Sequence, residues 1–216
     1  TMSSSRPPRL VIIGGVAAGA TAAARARRLD ETADITLIEQ GPYVSYANCG
    51  LPYFISGDIT SRDKLLLQTP EGFKRRYGVT VRVNTRATRI DREHHLVHLD
   101  GPEGATTLPY DRLILAQGGS PIRPKLPGVE AAHVFTLWSV PEMDALHQFI
   151  AEKKPVNAVV VGGGFIGLEM AEAFVARGVK TRVVELTPTV MPLMDEEFGR
   201  QIAQSLTSHG VAVETG

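Results

Sequence analysis

The chain of 216 residues holds one cysteine, Cys49. A single cysteine excludes a disulfide framework within the chain and a zinc site built on a cysteine cluster. Surplus charge of either sign is also missing, since 23 Lys plus Arg face 23 Asp plus Glu. That balance removes the electrostatic footprint of a general nucleic-acid binder. No apolar run reaches the ~18 residues of a membrane-spanning helix, so neither nucleic acid nor membrane is an expected partner. Arg6 and Arg9 followed by apolar Leu10 to Ala24 imitate a secretory leader, but Gly14, Gly15 and Gly19 interrupt the run and suit a turn better. A cytoplasmic protein is expected. His94, His95 and His98 fall on a predicted surface hairpin without a closed ligand set, so no metal site is expected. Apolar residues at 43% and charged ones at 21% fit an ordinary globular chain.

What is present is a repeated pattern. Leu10 to Ile13 reads as a buried strand, Ala17 to Leu29 as an Ala- and Arg-rich helix, and Ile35 to Ile38 as a second strand closed by Glu39. The same order recurs: strand Ala158 to Val161, turn Gly162-Gly163-Gly164, helix Phe165 to Arg177, strand Thr181 to Val184. Each copy is a βαβ unit. Between them, Val79 to Asp100 alternates apolar and polar residues, which predicts antiparallel strands around turns at Asn84 and Gly101-Pro102. Leu113 to Ala116 reads as another buried strand. Pro121, Pro124 and Pro127 make a stiff crossing segment. Ser139 to Lys154 carries helix signals, and an amphipathic helix opens after Asp195, where Glu196 and Glu197 favour the dipole.

The turn Gly162-Gly163-Gly164-Phe165-Ile166-Gly167 is a full G-x-G-x-x-G between strand and helix. Its glycines allow a tight turn, backbone approach to a pyrophosphate, and close helix packing. Glu185 closes the following strand, where a carboxylate accepts from ribose hydroxyls. No basic residue lies between Glu185 and Met194, so NADH is expected over NADPH, which stays possible. The first copy, Gly14-Gly15-Val16-Ala17-Ala18-Gly19 with Glu39 beyond it, has Val16 at the middle fingerprint position. It reads either as a second nucleotide turn or as a structural βα turn, and the tandem favours the former.

Cys49 lies in Ser45-Tyr46-Ala47-Asn48-Cys49-Gly50-Leu51-Pro52-Tyr53. The apolar residues after it, with Pro52 near the start, predict a short helix with Cys49 at its N-terminal end, where the helix dipole favours negative charge. Alone, a single cysteine is more often a small buried hydrophobe, a balance that the flanking motif reverses. With the stretches Val11 to Asp30, Tyr43 to Asp58, Leu113 to Gly128 and Val159 to Asp195, the chain resembles the flavin-dependent pyridine nucleotide–disulfide oxidoreductases, in their coenzyme A-disulfide and persulfide reductase branch.

That resemblance implies an α/β fold class with tandem Rossmann-like folds and a small antiparallel excursion. FAD would occupy residues 1–125, with the excursion at about 79–110. Residues 126–154 would link to the first part of an NAD(P)H-binding domain at 155–216. Family members run to about twice this length, so the C-terminal part is expected to be missing. Further implied are a homodimer in the full-length form, Cys49 as the redox-active residue, and Ala116 and Gly118 in a second FAD-contacting turn. Phe165 would be a flap over the flavin and Glu169 an acid near the nicotinamide, against plain packing roles. Thr21, Arg25, Arg28, Ser45 and Asn48 fall where the branch contacts CoA, and Tyr77 stands where it has a lysine. Arg25 and Arg28 share a helix face able to grip phosphates, or form a solvated basic face. Ala17 occupies the position of a histidine in peroxidase and oxidase branches, which disfavours those activities. The substrate implied is a CoA disulfide, a persulfide or a related small disulfide. The rivals are an NADH oxidase or peroxidase using a Cys49 sulfenic acid, and a non-enzymatic flavin module.

Overall fold

The computed structural model describes residues 6–216, which divide into two compact units. The first unit runs to Ala47 and resumes over Asp63–Ser120. The second combines Asn48–Arg62 with Pro121–Gly216. The division thus falls at the first residue of the proline segment, and the short stretch around Cys49 clusters with the later part of the chain.

In the first unit, strand β1 (Arg9–Ile13), helix α1 (Ala18–Leu29) and strand β2 (Asp34–Ile38) form the anticipated βαβ unit. β1 and β2 pair in parallel from Arg9↔Asp34 to Ile13↔Ile38. Side chains alternate across the sheet and feed two cores. Ile12, Ile35 and Leu37 pack with Ala20 and Ala23 of α1 and with Phe73. Val11 and Ile38 face the other way, onto Val97, Leu99 and Tyr110. Phe73 belongs to α3 (Pro70–Tyr77), a helix that the sequence reading did not anticipate. Its signals are local: the Thr69 hydroxyl accepts from the Gly72 N–H at 3.0 Å, Pro70 opens the first turn and Gly78 closes it at φ 60°.

The antiparallel excursion is a three-stranded meander of β4 (Arg86–Asp91), β5 (Leu96–Gly101) and β6 (Gly104–Pro109). The stretch Val79–Val83 does not join it, contrary to expectation. Thr80–Arg82 forms β3, which pairs in parallel with β2 from Thr36↔Thr80. A period of two is shared by both kinds of strand, so alternation could not choose between them. The second correction concerns β7 (Arg112–Leu115), expected to be buried. Among the described residues it is an edge strand in the order β3-β2-β1-β7, and Leu115 is exposed.

The second unit carries the second βαβ copy, β8 (Asn157–Val161), α5 (Phe165–Ala176) and β9 (Lys180–Glu185). It continues through α6 (Glu196–Ser208) into β10 (Ala212–Thr215), giving a parallel sheet ordered β10-β9-β8. Ala171, Val183, Val190, Leu206 and Val211 form its core. Helix α4 (Val140–Lys153) begins as expected, with the Glu142 carboxylate accepting from the Ser139 N–H at 2.8 Å and hydroxyl at 2.9 Å. Helix α2 (Leu51–Ser56) packs against α5 and α4 and ends at Gly57, φ 99°.

Candidate functional site

At the second glycine turn, the Gly162 N–H donates to the Val184 carbonyl at 2.8 Å while the backbone takes φ 104°. A Cβ on Gly167 would lie 2.0 Å from the Gly162 oxygen, so only glycine lets α5 seat this closely without a shift. A Cβ on Gly164 would meet nothing within 4 Å, leaving an open side toward which a ligand's backbone contacts can close. No side chain caps the first turn of α5, and Phe165 and Ile166 are exposed beside it. Free N–H groups at a helix start, reached across an open glycine, fit a pyrophosphate. Glu169 is half-buried further along the same helix.

Glu185 has a role that the sequence reading missed. One carboxylate oxygen accepts from the Gly163 N–H at 2.7 Å; the other accepts from the Thr187 N–H at 2.8 Å and lies 2.9 Å from its hydroxyl. The Thr187 N–H is the main cause holding this carboxyl below its ordinary pKa, against the opposing effect of burial. The acid therefore ties the glycine turn to the next loop, with lone pairs left for a sugar hydroxyl.

The first turn repeats the plan within the other unit. The Gly14 N–H donates to Ile38 at 2.8 Å, with φ 100°. Buried Glu39 accepts from the Gly15 N–H at 2.7 Å and the Gly41 N–H at 2.8 Å. A Cβ on Gly14 would lie 2.1 Å from the Ala116 oxygen, and one on Gly19 would lie 1.7 Å from the Gly14 oxygen. Half-buried Val16 occupies the place of Gly164, while Ala17 and Ala18 are exposed at an uncapped helix start. Gly118 takes φ 67° two residues beyond Ala116. The Ser45 N–H donates to Gly15 at 2.8 Å. Gly14, Gly15, Glu39, Ala116 and Ser45 are thus brought together, and the uncapped start of α1 fits the phosphates of a second dinucleotide.

Thr21, Arg25 and Arg28 lie on the exposed side of α1. Arg28 lines a cavity of about 720 Å³ with Arg76 and Tyr77, and the Arg76 guanidinium lies 5.3 Å from the Tyr77 ring centre. Arg76 was not singled out in sequence, where only its helix position could have marked it. Arg27, between the predicted pair, is structural: it donates to the carbonyls of Tyr77, Glu31 and Ala33 at 2.6–2.7 Å.

Cys49 and Asn48 are exposed in a single 3-10 turn, Asn48–Gly50. The expected short helix is α2, and Cys49 sits just ahead of its start, in the turn that runs through the N-cap Gly50 into Leu51. Pro52 suits the first turn of α2, and buried Leu51 and Ile55 anchor it. The thiol is not the small buried hydrophobe of the alternative reading. Among the described residues, no group of three His, Cys, Asp or Glu could hold a metal ion, and no helix is long and apolar enough to cross a membrane. His94 instead pairs with Asp91, and His95 stacks on Tyr110.

Residues 8–216 match the family model described as pyridine nucleotide-disulphide oxidoreductase. The chain belongs to this family. Among its members, an NAD(P)H coenzyme A polysulfide/persulfide reductase of Pyrococcus horikoshii is 34% identical over 209 residues, covering 96% of this chain and 46% of the relative. A coenzyme A disulfide reductase of Staphylococcus haemolyticus is 33% identical over 205 residues, covering 94% and 46%. The crystal structure of reduced Bacillus anthracis CoADR-RHD superposes with a TM-score of 0.94 at 41% identity, covering 99% of this chain and 39% of that one. The chain therefore spans less than half the length of these relatives. The family's cofactors are FAD and NAD(P)H, and the two glycine turns are the residues here that fit them.

Proposed function

We propose that the full-length protein draws electrons from NADH to reduce a CoA disulfide, persulfide or related small disulfide at Cys49. The observation that carries this reading is the exposed thiol of the chain's sole cysteine, on a turn of the unit that also contains the Gly162–Gly167 fingerprint. Names of the relatives, which specify CoA disulfide and polysulfide or persulfide reduction, support the substrate class.

Gly162, Gly164, Phe165, Ile166, Gly167 and Glu185 would hold the pyridine nucleotide, with Glu169 near its nicotinamide. Glu185 accepts from the ribose and repels a 2′-phosphate, favouring NADH. Gly14 to Gly19, Glu39, Ala116 and Gly118 would hold FAD. When bound, the flavin supplies the two-electron chemistry between dihydronicotinamide and sulfur. The Cys49 thiolate attacks one sulfur of the substrate, forming a mixed disulfide and expelling the first thiolate. Two electrons from NADH then cleave that mixed disulfide, releasing the second thiol and restoring Cys49. Thr21, Ser45 and Asn48 would each contact CoA. Arg25 and Arg28 would meet its phosphates, with Arg76 lining the same cavity as Arg28.

Cys49→Ser in the full-length holoenzyme is the test. NADH oxidation dependent on CoA disulfide should fall by at least about a thousandfold, the scale of losing a covalent nucleophile. NADH oxidation by ferricyanide should stay within about twofold, because it bypasses the thiol. Loss of both activities overturns these roles. Steady peroxide consumption by the unsubstituted protein without added disulfide, lost in Cys49→Ser, assigns the sulfenic acid activity instead.

A further inference from the structure

Cys49 lies two residues before α2, in a turn that runs directly into that short helix. Besides the apolar packing of α2, polar tethers and a ring contact among the described residues help hold the segment. The half-buried Arg177, which caps the C-terminal end of α5, donates through Nε to the Ile55 carbonyl oxygen. That carbonyl lies in the last turn of α2, where helical carbonyls lack an internal partner and a cation complements the helix end. At the exit of the segment, Arg62 grips Asp144 of α4 as a fork, Nε to Oδ1 at 2.7 Å and Nη2 to Oδ2 at 2.6 Å. Between them, the Phe54 and His147 rings pack with centres 4.9 Å apart.

We propose that Arg177 is a positioning residue for Cys49, acting through α2, with the Arg62–Asp144 pair as a second and weaker anchor. The inference rests on the reading that Cys49 carries the disulfide chemistry. Leu51 and Ile55 are buried at 2% and 0% exposure, so apolar packing keeps α2 in place without Arg177. What the guanidinium adds is a directional contact at one end of a helix whose other end leads into the reactive turn. Small misplacements of a nucleophile cost far more in rate than in stability. The same α5 begins at the Gly162–Gly167 turn, so one helix supports the nucleotide turn at its start and the thiol-bearing segment at its end.

The test uses full-length holoenzyme carrying Arg177→Met, Arg177→Lys or Asp144→Asn. Arg177→Met should lower kcat with CoA disulfide by about tenfold or more, leaving NADH KM and the ferricyanide rate within about twofold. Amide hydrogen exchange over residues 48–56 should accelerate by about tenfold, as expected for one lost charge-assisted bond. Arg177→Lys should recover part of both effects, and Asp144→Asn should show the same pattern more weakly. Unchanged exchange overturns the proposal. So does faster exchange with unchanged kcat, which would make Arg177 a stabilising contact only. A parallel fall of disulfide and ferricyanide rates also contradicts it. Failure of the underlying reading is separate: it shows as disulfide turnover surviving Cys49→Ser, whatever the exchange data give.

Discussion

Gly14 and Gly162 occupy the same place in their βαβ units, at φ 100° and 104°, yet a methyl group added to each would meet different surroundings. At Gly14 it would press against the Ala116 carbonyl, because β7 runs beside β1 and ends there. At Gly162 it would meet nothing, because β8 is an edge of its sheet among the described residues. The acids differ in the same sense. Glu39 is buried and served by two backbone N–H groups, whereas Glu185 is half-buried and has the Thr187 hydroxyl as well. One local motif therefore acquires two environments, and the difference comes from chain far away in sequence.

The largest effect should separate the two glycines. Gly14→Ala combines left-handed strain with a backbone collision and should cost about 3 kcal/mol or more; Gly162→Ala carries strain alone, about 1–2 kcal/mol. Denaturation midpoints of the 216-residue chain check this, and equal shifts would show that the Ala116 collision adds nothing. Next come the acids. Glu185→Gln should raise the KM for NADH by about tenfold with FAD content intact, and Glu39→Gln should lower retained FAD with NADH KM unchanged. Flavin absorbance of the purified variants and NADH kinetics read the two outcomes. A shared phenotype would mean that the turns do not serve separate nucleotides.

The smallest effect is electrostatic and lies outside both turns. Arg6 and Arg9 flank Asp111 at 2.6–3.2 Å, and the Arg6 hydrogen bond is the main cause of its lowered pKa. A carboxylate with a depressed folded pKa contributes stability above its ordinary value of 3.8 and loses it as pH falls through the folded value. Asp111→Asn should therefore lower the midpoint slightly at pH 7, the scale of exposed ion pairs, with the gap closing as pH drops below about 3.8. Paired melts at pH 7 and in acid measure it; a gap that widens in acid would contradict the assignment.

Much of the fold was legible because the βαβ signal is short-range. β1, α1 and β2 are contiguous, and so are β8, α5 and β9, with glycines marking each turn. The order of strands was not legible in β3, whose three residues alternate as an antiparallel strand would. Helix α3 was readable only from Thr69, Pro70 and Gly78, since its eight residues leave little periodic signal. In the site, glycines and acids announced themselves by spacing. The contacts of those acids did not, because a carboxylate two residues before Gly41 or Thr187 has no distinctive pattern. Arg177 and Asp144 were invisible for a further reason: their partners, Ile55 and Arg62, are distant in sequence.

Mass spectrometry of the full-length holoenzyme treated with CoA disulfide, with NADH withheld and then added, tests the central claim most directly. One CoA-mass adduct is expected on the peptide containing Cys49, lost when NADH is supplied. Disulfide turnover without any such adduct would contradict it.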